Sequence, residues 1–478
     1  MHFKLLFNDK KFIKNTFKII RPAILQAFVT ALGNLLNVFI IGNFVNVGEN
    51  GVAGVSLATT LFGISILLSY SATIAGNIFA GQYYGNDEVS KVKYSTNFKV
   101  MLSLMCSLLF IVICFSVKID NLFKMFMSSN DTNTQEIINN GVVYFKISIW
   151  TCLISSITIP LIFTTNSFEK SDYTLILIST GAIIVNCAIT FLTLTVWPIN
   201  TVINGDNVVI AGPAIAFLIS KVFELTGVII YYIVKKPFYN LTKNFWYIPK
   251  EMWKKLLKVW ILLLPSELLF QIYYVIFTII LGQMTDNPQD VLAPVNISNT
   301  LIDISWCVIN GSILGIPQLI GKPLGENRLD EAKENAKKLK TLVFLISVIL
   351  STVIFLSSFI IVNFLFKDFT QESKDILFLA IAGNSLIFFF YSNAYLSFNI
   401  LRSGGIQWIP SLFDIPVQYL IQLPMLIMLL AFSNIDTGWI IFICDMTYII
   451  QFLLSNIFFY KVNWNRNIIK NKLENNVL

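Results

Sequence analysis

Apolar residues run through this chain in blocks of about 20 or more, the length an α-helix needs to cross bilayer hydrocarbon. The blocks lack the short alternating pattern of a barrel, and an open sheet edge would leave backbone groups unpaired in lipid. The pattern predicts an all-α polytopic membrane protein with twelve spans, at 19–42, 52–80, 100–117, 141–164, 173–198, 208–234, 258–284, 291–320, 341–366, 376–401, 408–432 and 438–460. Ahead of the first span, MHFKLLFNDKKFIKNTFK alternates apolar and basic residues. That segment (1–18) is expected to lie as an amphipathic helix on an anionic membrane surface. No small-residue cleavage site follows it, so a removable signal peptide is not expected.

Polar residues inside the spans fall at helical spacing. Gln26, Thr30, Asn34 and Asn37 share one face of the first span, because positions three and four apart stack on a helix. Ser56, Thr60, Gly63, Tyr70 and Asn77 do the same in the second, and Asn186, Thr190 and Thr193 in the fifth. The later spans repeat the theme with acids added: Glu267, Gln271, Tyr274 and Thr278; Asn296, Asn299, Asp303 and Asn310; Asp414, Gln418 and Gln422. A polar group in hydrocarbon costs free energy unless it finds a partner or a wet cavity. For the amides and hydroxyls, interhelical hydrogen bonding of about 0.6–2 kcal/mol per contact is the plainest use. Glu267, Asp303 and Asp414 each cost about 2.5–3.5 kcal/mol near a helix centre, and no central Lys or Arg of their half offers a partner. They are therefore the candidates for holding a cation or a proton. Glu224 has Lys221 one turn earlier and reads as a neutralised pair, while Asp445 has few polar neighbours and reads as a packing or interfacial residue.

Charge changes the picture in one respect. The 478 residues are 55% hydrophobic and 13% charged, with a net charge of +7. With the N-terminus taken as inside, 28 of the 34 Lys and Arg fall in inside tails or loops, four in outside loops, and Lys146 and Lys221 in or beside spans. This asymmetry is the positive-inside rule, which places both termini in the cytoplasm and argues against a nucleic-acid surface. The six cysteines are scattered singly through the spans, with no CxxC, and read as small packing residues. The only histidine is His2, so a histidine proton relay is not available. There is no GxxxxGK[ST] phosphate loop, so nothing here would cradle ATP, and any pumping would have to draw on an ion gradient.

The longest basic loop, Lys235–Lys255, lies at the midpoint, with six spans before it and six after. Sliding the chain by 240 residues lays GQYYGNDEVSKVK (81–93) over GKPLGENRLDEAK (321–333), and matches Gly42 with Gly282 and Thr60 with Thr300. An even number of spans per half makes the halves parallel repeats about an axis along the membrane normal. The expected layout is a tail at 1–18, a lobe at 19–234, a linker at 235–257, a second lobe at 258–460 and a tail at 461–478, with a site at the lobe interface.

Several segments carry a resemblance. RPAILQAFVTALGNLLNVFIIGN, GQYYGNDEVSK, AGPAIAFLIS (211–220), GIPQLIGKPLGENRLDEAK and FNILRSGGIQWIPSL (398–412), in this order and spacing, resemble the multidrug and toxic-compound extrusion (MATE) family over nearly the whole chain. The resemblance implies a V-shaped pair of six-helix lobes that alternates access and exports amphiphilic, often cationic, compounds against Na⁺ or H⁺, with no other cofactor. The family's acids are missing where the motifs place them. The first-helix acid falls on Asn37, the acid of Asn-x-x-Leu-Asp on Thr190 in NCAIT, the frequent Glu of span seven on Tyr273, and a subgroup's acid near Ile406. Coupling would then pass to Asp303, Asp414 or Glu267. The expected substrate cavity comprises Gln26, Thr30, Asn34, Asn37, Asn186, Thr190, Gln271, Tyr273, Tyr274, Asn299, Asn310 and Gln418. A monomer in the plasma membrane, touching lipid and a small organic substrate, is the expected form; a flippase for a lipid-linked or oligosaccharide precursor, or an uncoupled facilitator, is the alternative.

Overall fold

The computed structural model describes residues 3–43, 48–126, 132–168, 173–199, 201–203, 206–242, 244–285, 288–365 and 370–469. A short α1 (Phe3–Phe7) turns at Asp9, whose carboxylate accepts the Phe12 backbone N–H at 2.8 Å and so starts the next helix. That helix, α2 (Lys10–Asn43), continues through Pro22. The first half continues with α3 (Gly48–Gly85), α4 (Val89–Val117), α5 (Ile119–Lys124), α6 (Thr132–Ser148), α7 (Thr151–Phe168) and α8 (Thr174–Thr195). A small antiparallel hairpin, β1 (Thr201–Ile203) with β2 (Asp206–Val208), precedes α9 (Ala211–Lys235). It is an addition to the expected all-helical chain, in the loop between the fifth and sixth spans.

The second half holds α10 (Lys250–Met284), α11 (Pro288–Leu314), a π-helical turn at Pro317–Gly321, α12 (Lys322–Gly325), α13 (Leu329–Ile360), α14 (Gln371–Ser403) and α15 (Trp408–Pro416). A π turn (Ile361–Leu365) also ends α13, and a third (Val417–Gln422) leads into α16 (Leu423–Phe432), α17 (Thr437–Met446) and α18 (Tyr448–Lys461). Prolines bracket the first and third of these, Pro317 with Pro323 and Pro416 with Pro424. Each removes a helix donor, and a wider turn takes up the broken ladder.

Among the described residues, eleven helical stretches are long and apolar enough to cross a membrane. The expected eleventh span, 408–432, is instead assembled from α15, the π turn and α16. The fourth expected span crosses the break between α6 and α7, and its membrane-length part is Thr151–Phe168. Exposed apolar rows such as Leu177, Ile184 and Phe191 on α8, seven residues apart, mark faces turned to lipid.

Two helices begin earlier than their hydropathy suggests. In α4 the turns before Val100 are already packed, leaving Lys99 wholly buried, and in α13 Lys338 and Lys340 are buried too. Their long aliphatic stems let them enter helix packing that a loop assignment hides.

The two GxxxG loops found by sliding the sequence meet face to face. A Cβ built on Gly321 would lie 3.2 Å from the Gly81 Cα, and one on Gly81 would lie 2.8 Å from the Pro317 carbonyl oxygen. Gly85 abuts the Lys322 backbone, and Gly325 abuts the Gln82 backbone. These contacts are reciprocal at the 240-residue offset, as a two-fold between repeats requires. Asp87 and Asn327, another pair at that offset, both take left-handed backbone angles (φ 58° and 64°), a region that Asp and Asn tolerate. The segment after α18 seals this basic end. The Gln82 carboxamide donates to the Ser403 and Arg466 carbonyls at 3.0 and 3.2 Å and accepts from the Ile468 N–H at 2.9 Å. Asn467 donates to the Gly325 carbonyl at 3.1 Å and to Asn327 at 3.0 Å.

Candidate functional site

Between the halves lies a cavity of about 500 Å³, walled by α3 on one side and by α10, α11 and α14 on the other. The polar stripes of α3 and α11 supply much of the wall. Ser56, Thr60, Tyr70 and Asn77 face it from α3, and Asn296, Asn299, Asp303 and Asn310 from α11. Six of the expected site residues are thereby brought together: Glu267, Gln271, Tyr274, Asn299, Asp303 and Asn310. Gln271 ties the walls to each other by donating to the Thr60 carbonyl at 3.1 Å, in the space Gly63 leaves open. Asn299 accepts from Asn384 at 3.2 Å, and Asn384 also donates to Ser298 at 2.7 Å.

Asp303 is exposed to the cavity, and among the described residues no basic side chain pairs with it. A carboxylate placed this way keeps access to water inside a protein that otherwise presents hydrocarbon. Beside it stands an aromatic wall. Phe270 stacks on Tyr391 at 5.3 Å with an interplanar angle of 7°, Tyr391 on Tyr395 at 5.8 Å, and Trp306 meets Tyr391 edge-on at 5.8 Å. Ring faces next to an open carboxylate offer an organic cation both a countercharge and a quadrupole to rest on.

Glu267 sits differently from what its sequence implied. It is paired with Arg402 at 2.8 Å, with 7% and 2% of the two side chains exposed, and Arg402 also donates to Ser266 at 3.1 Å. Arg402 stands at the last turn of α14. Its guanidinium reaches back into the lobe, so Glu267 is a neutralised member of the cavity wall.

The first-lobe residues form a separate network inside that lobe. Gln26 donates to Ser179 at 3.2 Å and accepts from Asn166 at 2.6 Å. Ser179 donates to Glu224 at 3.3 Å, and Glu224 takes Lys221 at 2.8 Å, the pairing read from their spacing. Thr190 donates to Asn37 at 3.1 Å and to Asn186 at 3.5 Å. Thr30 bonds back to the Gln26 carbonyl at 3.0 Å, and Asn34 is exposed. Of these, Gln26, Thr30, Asn34, Asn37, Asn186 and Thr190 do not line the cavity. α2 sets Gln26 and Asn37 against α8, while Ile24 of the same helix packs against Gly311 of α11 in the other half. Tyr273 and Gln418 are likewise buried inside the second lobe, away from the cavity. The side chain of Asp414 lies outside the described residues.

Sequence reasoning missed Lys99 and the α14 face. The Lys99 ammonium donates to Asn77 at 2.5 Å and to Thr164 at 3.0 Å, just behind the cavity wall. Asn384, Tyr391, Tyr395 and Asn399 all line the cavity at spacings of seven, four and four residues, a helical face that was open to reading. Asp445, expected at a packing or interfacial position, is buried with its carboxylate against Gly383 of α14.

Comparison with known proteins places this architecture. The model of the MatE family matches residues 22–192 and 263–434, one block in each half. No curated protein matches the sequence. Among solved structures, the chain is similar to the eukaryotic MATE transporter AtDTX14, at 14% identity and TM-score 0.78, over 95% of this chain and 97% of that one. An outward-facing multidrug-resistance MATE transporter of the MOP superfamily gives TM-score 0.74 at 15% identity, over 93% and 95% of the two chains. An inward-facing one gives 0.65 at 15% identity, over 91% and 98%. Two lobes of membrane-spanning helices, a polar cavity between them, and a family match covering well over half the sequence identify the chain as a member of the MATE family, a membrane transporter and not an enzyme.

Proposed function

We propose that this transporter is a secondary active exporter of amphiphilic cationic compounds, exchanging them for Na⁺ or H⁺ across the plasma membrane, with both termini in the cytoplasm. The observation that carries the reading is Asp303, an open carboxylate without a basic partner among the described residues, set beside the Phe270–Tyr391–Tyr395 stack. A single negative site that can hold an organic cation, a Na⁺ or a proton makes their occupancies mutually exclusive, and exchange follows from that competition. The first lobe contributes no such group where its family keeps one, because the amide of Asn37 and the hydroxyl of Thr190 do not titrate in this range.

Purified protein in liposomes should move a fluorescent organic cation when a Na⁺ or H⁺ gradient is imposed, and Asp303→Asn should abolish the response to the gradient. Unchanged coupling in that variant removes Asp303 from the role.

A flippase or facilitator for an anionic precursor is the second reading, and Lys99 favours it, as a buried cation one hydrogen bond behind the cavity wall. Transport indifferent to both gradients but lost in Lys99→Met would move that reading ahead.

A further inference from the structure

A second cavity, of about 570 Å³, opens at the basic end, outside the site described above. It is built from both halves. Lys11, Lys14 and Lys18 line it from α2, Tyr84 from α3, and Lys322, Arg328, Glu331 and Asn335 from the segment that follows the first π turn. The three α2 lysines fall three and four residues apart and so share one face.

The acids nearby are already engaged. Asp9 accepts from Lys338 at 2.6 Å and from the Phe12 N–H. Glu331 and Glu326 both bind Arg328, and Glu326 also faces Lys322 at 3.7 Å. Among the described residues no carboxylate pairs with Lys11, Lys14 or Lys18. Asp9 and Glu331 line the same cavity, and Asp9 also attracts Lys11, but five cationic side chains against two acids favour an anion that enters the space between them.

We infer that this cavity binds a phosphate-bearing lipid headgroup from the cytoplasmic leaflet, with Lys11, Lys14 and Lys18 as its cationic wall. The inference goes beyond the transport reading and rests only on the proposed orientation. Three observations favour a lipid over a free phosphate. The cavity opens where α2 enters its membrane-length stretch. Phe17, between Lys14 and Lys18, is exposed, as are Phe3, Leu5 and Phe7 of α1, an apolar edge suited to acyl chains. The volume lies in the range of pockets for organic ligands and exceeds what a lone phosphate needs. A headgroup seated there touches Tyr84 and Lys322, which lie beside the Gly85 and Gly325 junction, so it would favour the state in which the basic end is closed.

The test is native mass spectrometry of the full-length protein from mixed micelles of phosphatidylcholine and phosphatidylglycerol. Micelles have no sides, so binding is read whether or not the orientation holds. Wild type should retain phosphatidylglycerol selectively. K11Q/K14Q/K18Q should lose that selectivity by about tenfold or more, K11R/K14R/K18R should keep it, and K254Q/K255Q, changed elsewhere on the basic end, should behave as wild type. Equal retention in the glutamine variant overturns the proposal. Displacement of the lipid by millimolar inorganic phosphate as effectively as by added phosphatidylglycerol also overturns it, in favour of a free anion.

Discussion

Gly81→Ala is the sharpest perturbation of the transport cycle this structure offers. A methyl at Gly81 would stand 2.8 Å from the Pro317 carbonyl oxygen and 2.9 Å from the Pro317 Cα, where ordinary contact begins at 3.4 Å. Both neighbours are backbone, so the halves must part by about half an ångström, and overpacking of this kind costs about 1–3 kcal/mol. Alanine also favours helix over glycine by about 1 kcal/mol, but α3 is helical whichever end is open, so that gain cancels from the equilibrium between states. Alternating access requires the junction to separate in the opposite state, which escapes the cost. The closed-to-open ratio at the basic end should therefore fall by about 5–150-fold. Spin labels on S90C and D330C, exposed positions in the first turns of α4 and α13, would report the change as a shift of the distance distribution toward the longer component. Gly321→Ala should shift it less, since its nearest atom is the Gly81 Cα at 3.2 Å. Gly181→Ala should leave it unmoved, because its obstacle is the exposed Phe223 ring, which can swing aside. A distribution in folded Gly81→Ala identical to wild type would refute the reasoning.

Three other outcomes are expected. Breaking the Glu267–Arg402 pair from either side should lower stability by about 3–5 kcal/mol, while replacing both with Met should restore most of it; thermal unfolding of the four proteins in a double-mutant cycle checks this, and additive effects contradict it. The hydrogen bond from Lys338, first, and then that from the Phe12 N–H hold the Asp9 carboxyl below its usual range. Its contribution to stability is therefore present above the unfolded value near pH 4 and lost as pH falls through the lower folded value. The melting-temperature gap between wild type and Asp9→Asn should close as the buffer is taken below about pH 4, and a constant gap would count against the pairing. Gln82→Leu, which fills the volume but removes all three hydrogen bonds, should raise protease access to the residues after α18; unchanged cleavage would show that packing alone holds them.

How much of this was readable beforehand follows from what each feature depends on. The glycine junction was visible because its two sides are copies of each other, so a 240-residue slide aligned residues that touch in space. The α11 stripe was visible for a similar reason, since spacing along one helix is local information. The first-lobe stripe had the same spacing but a different outcome, because the pattern says that a face is polar and not which neighbour it meets. The sequence places Glu267 and Arg402 135 positions apart, and only the close approach of α10 and α14 makes them a pair. Lys99 went unread because charge was taken as a mark of a loop, whereas its stem packs against Gly76 and its ammonium finds Asn77 and Thr164. Roles in transport depend on ions and substrates, which leave no periodic trace in a sequence.

The carboxamide of Gln82 has a consequence for how the protein is made. Its three partners, Ser403, Arg466 and Ile468, all lie more than 300 residues further along the chain, so a residue of the first half waits for the second half to be synthesised. Until then the Gln82 carboxamide lacks the three partners it has in the folded chain. A nascent chain stalled before Ser403 therefore carries an incomplete basic end, and the junction between the repeats gains its full set of hydrogen bonds only once residues 466–468 have joined it. A closed basic end thus requires both halves, because the groups that satisfy Gln82 come from the second.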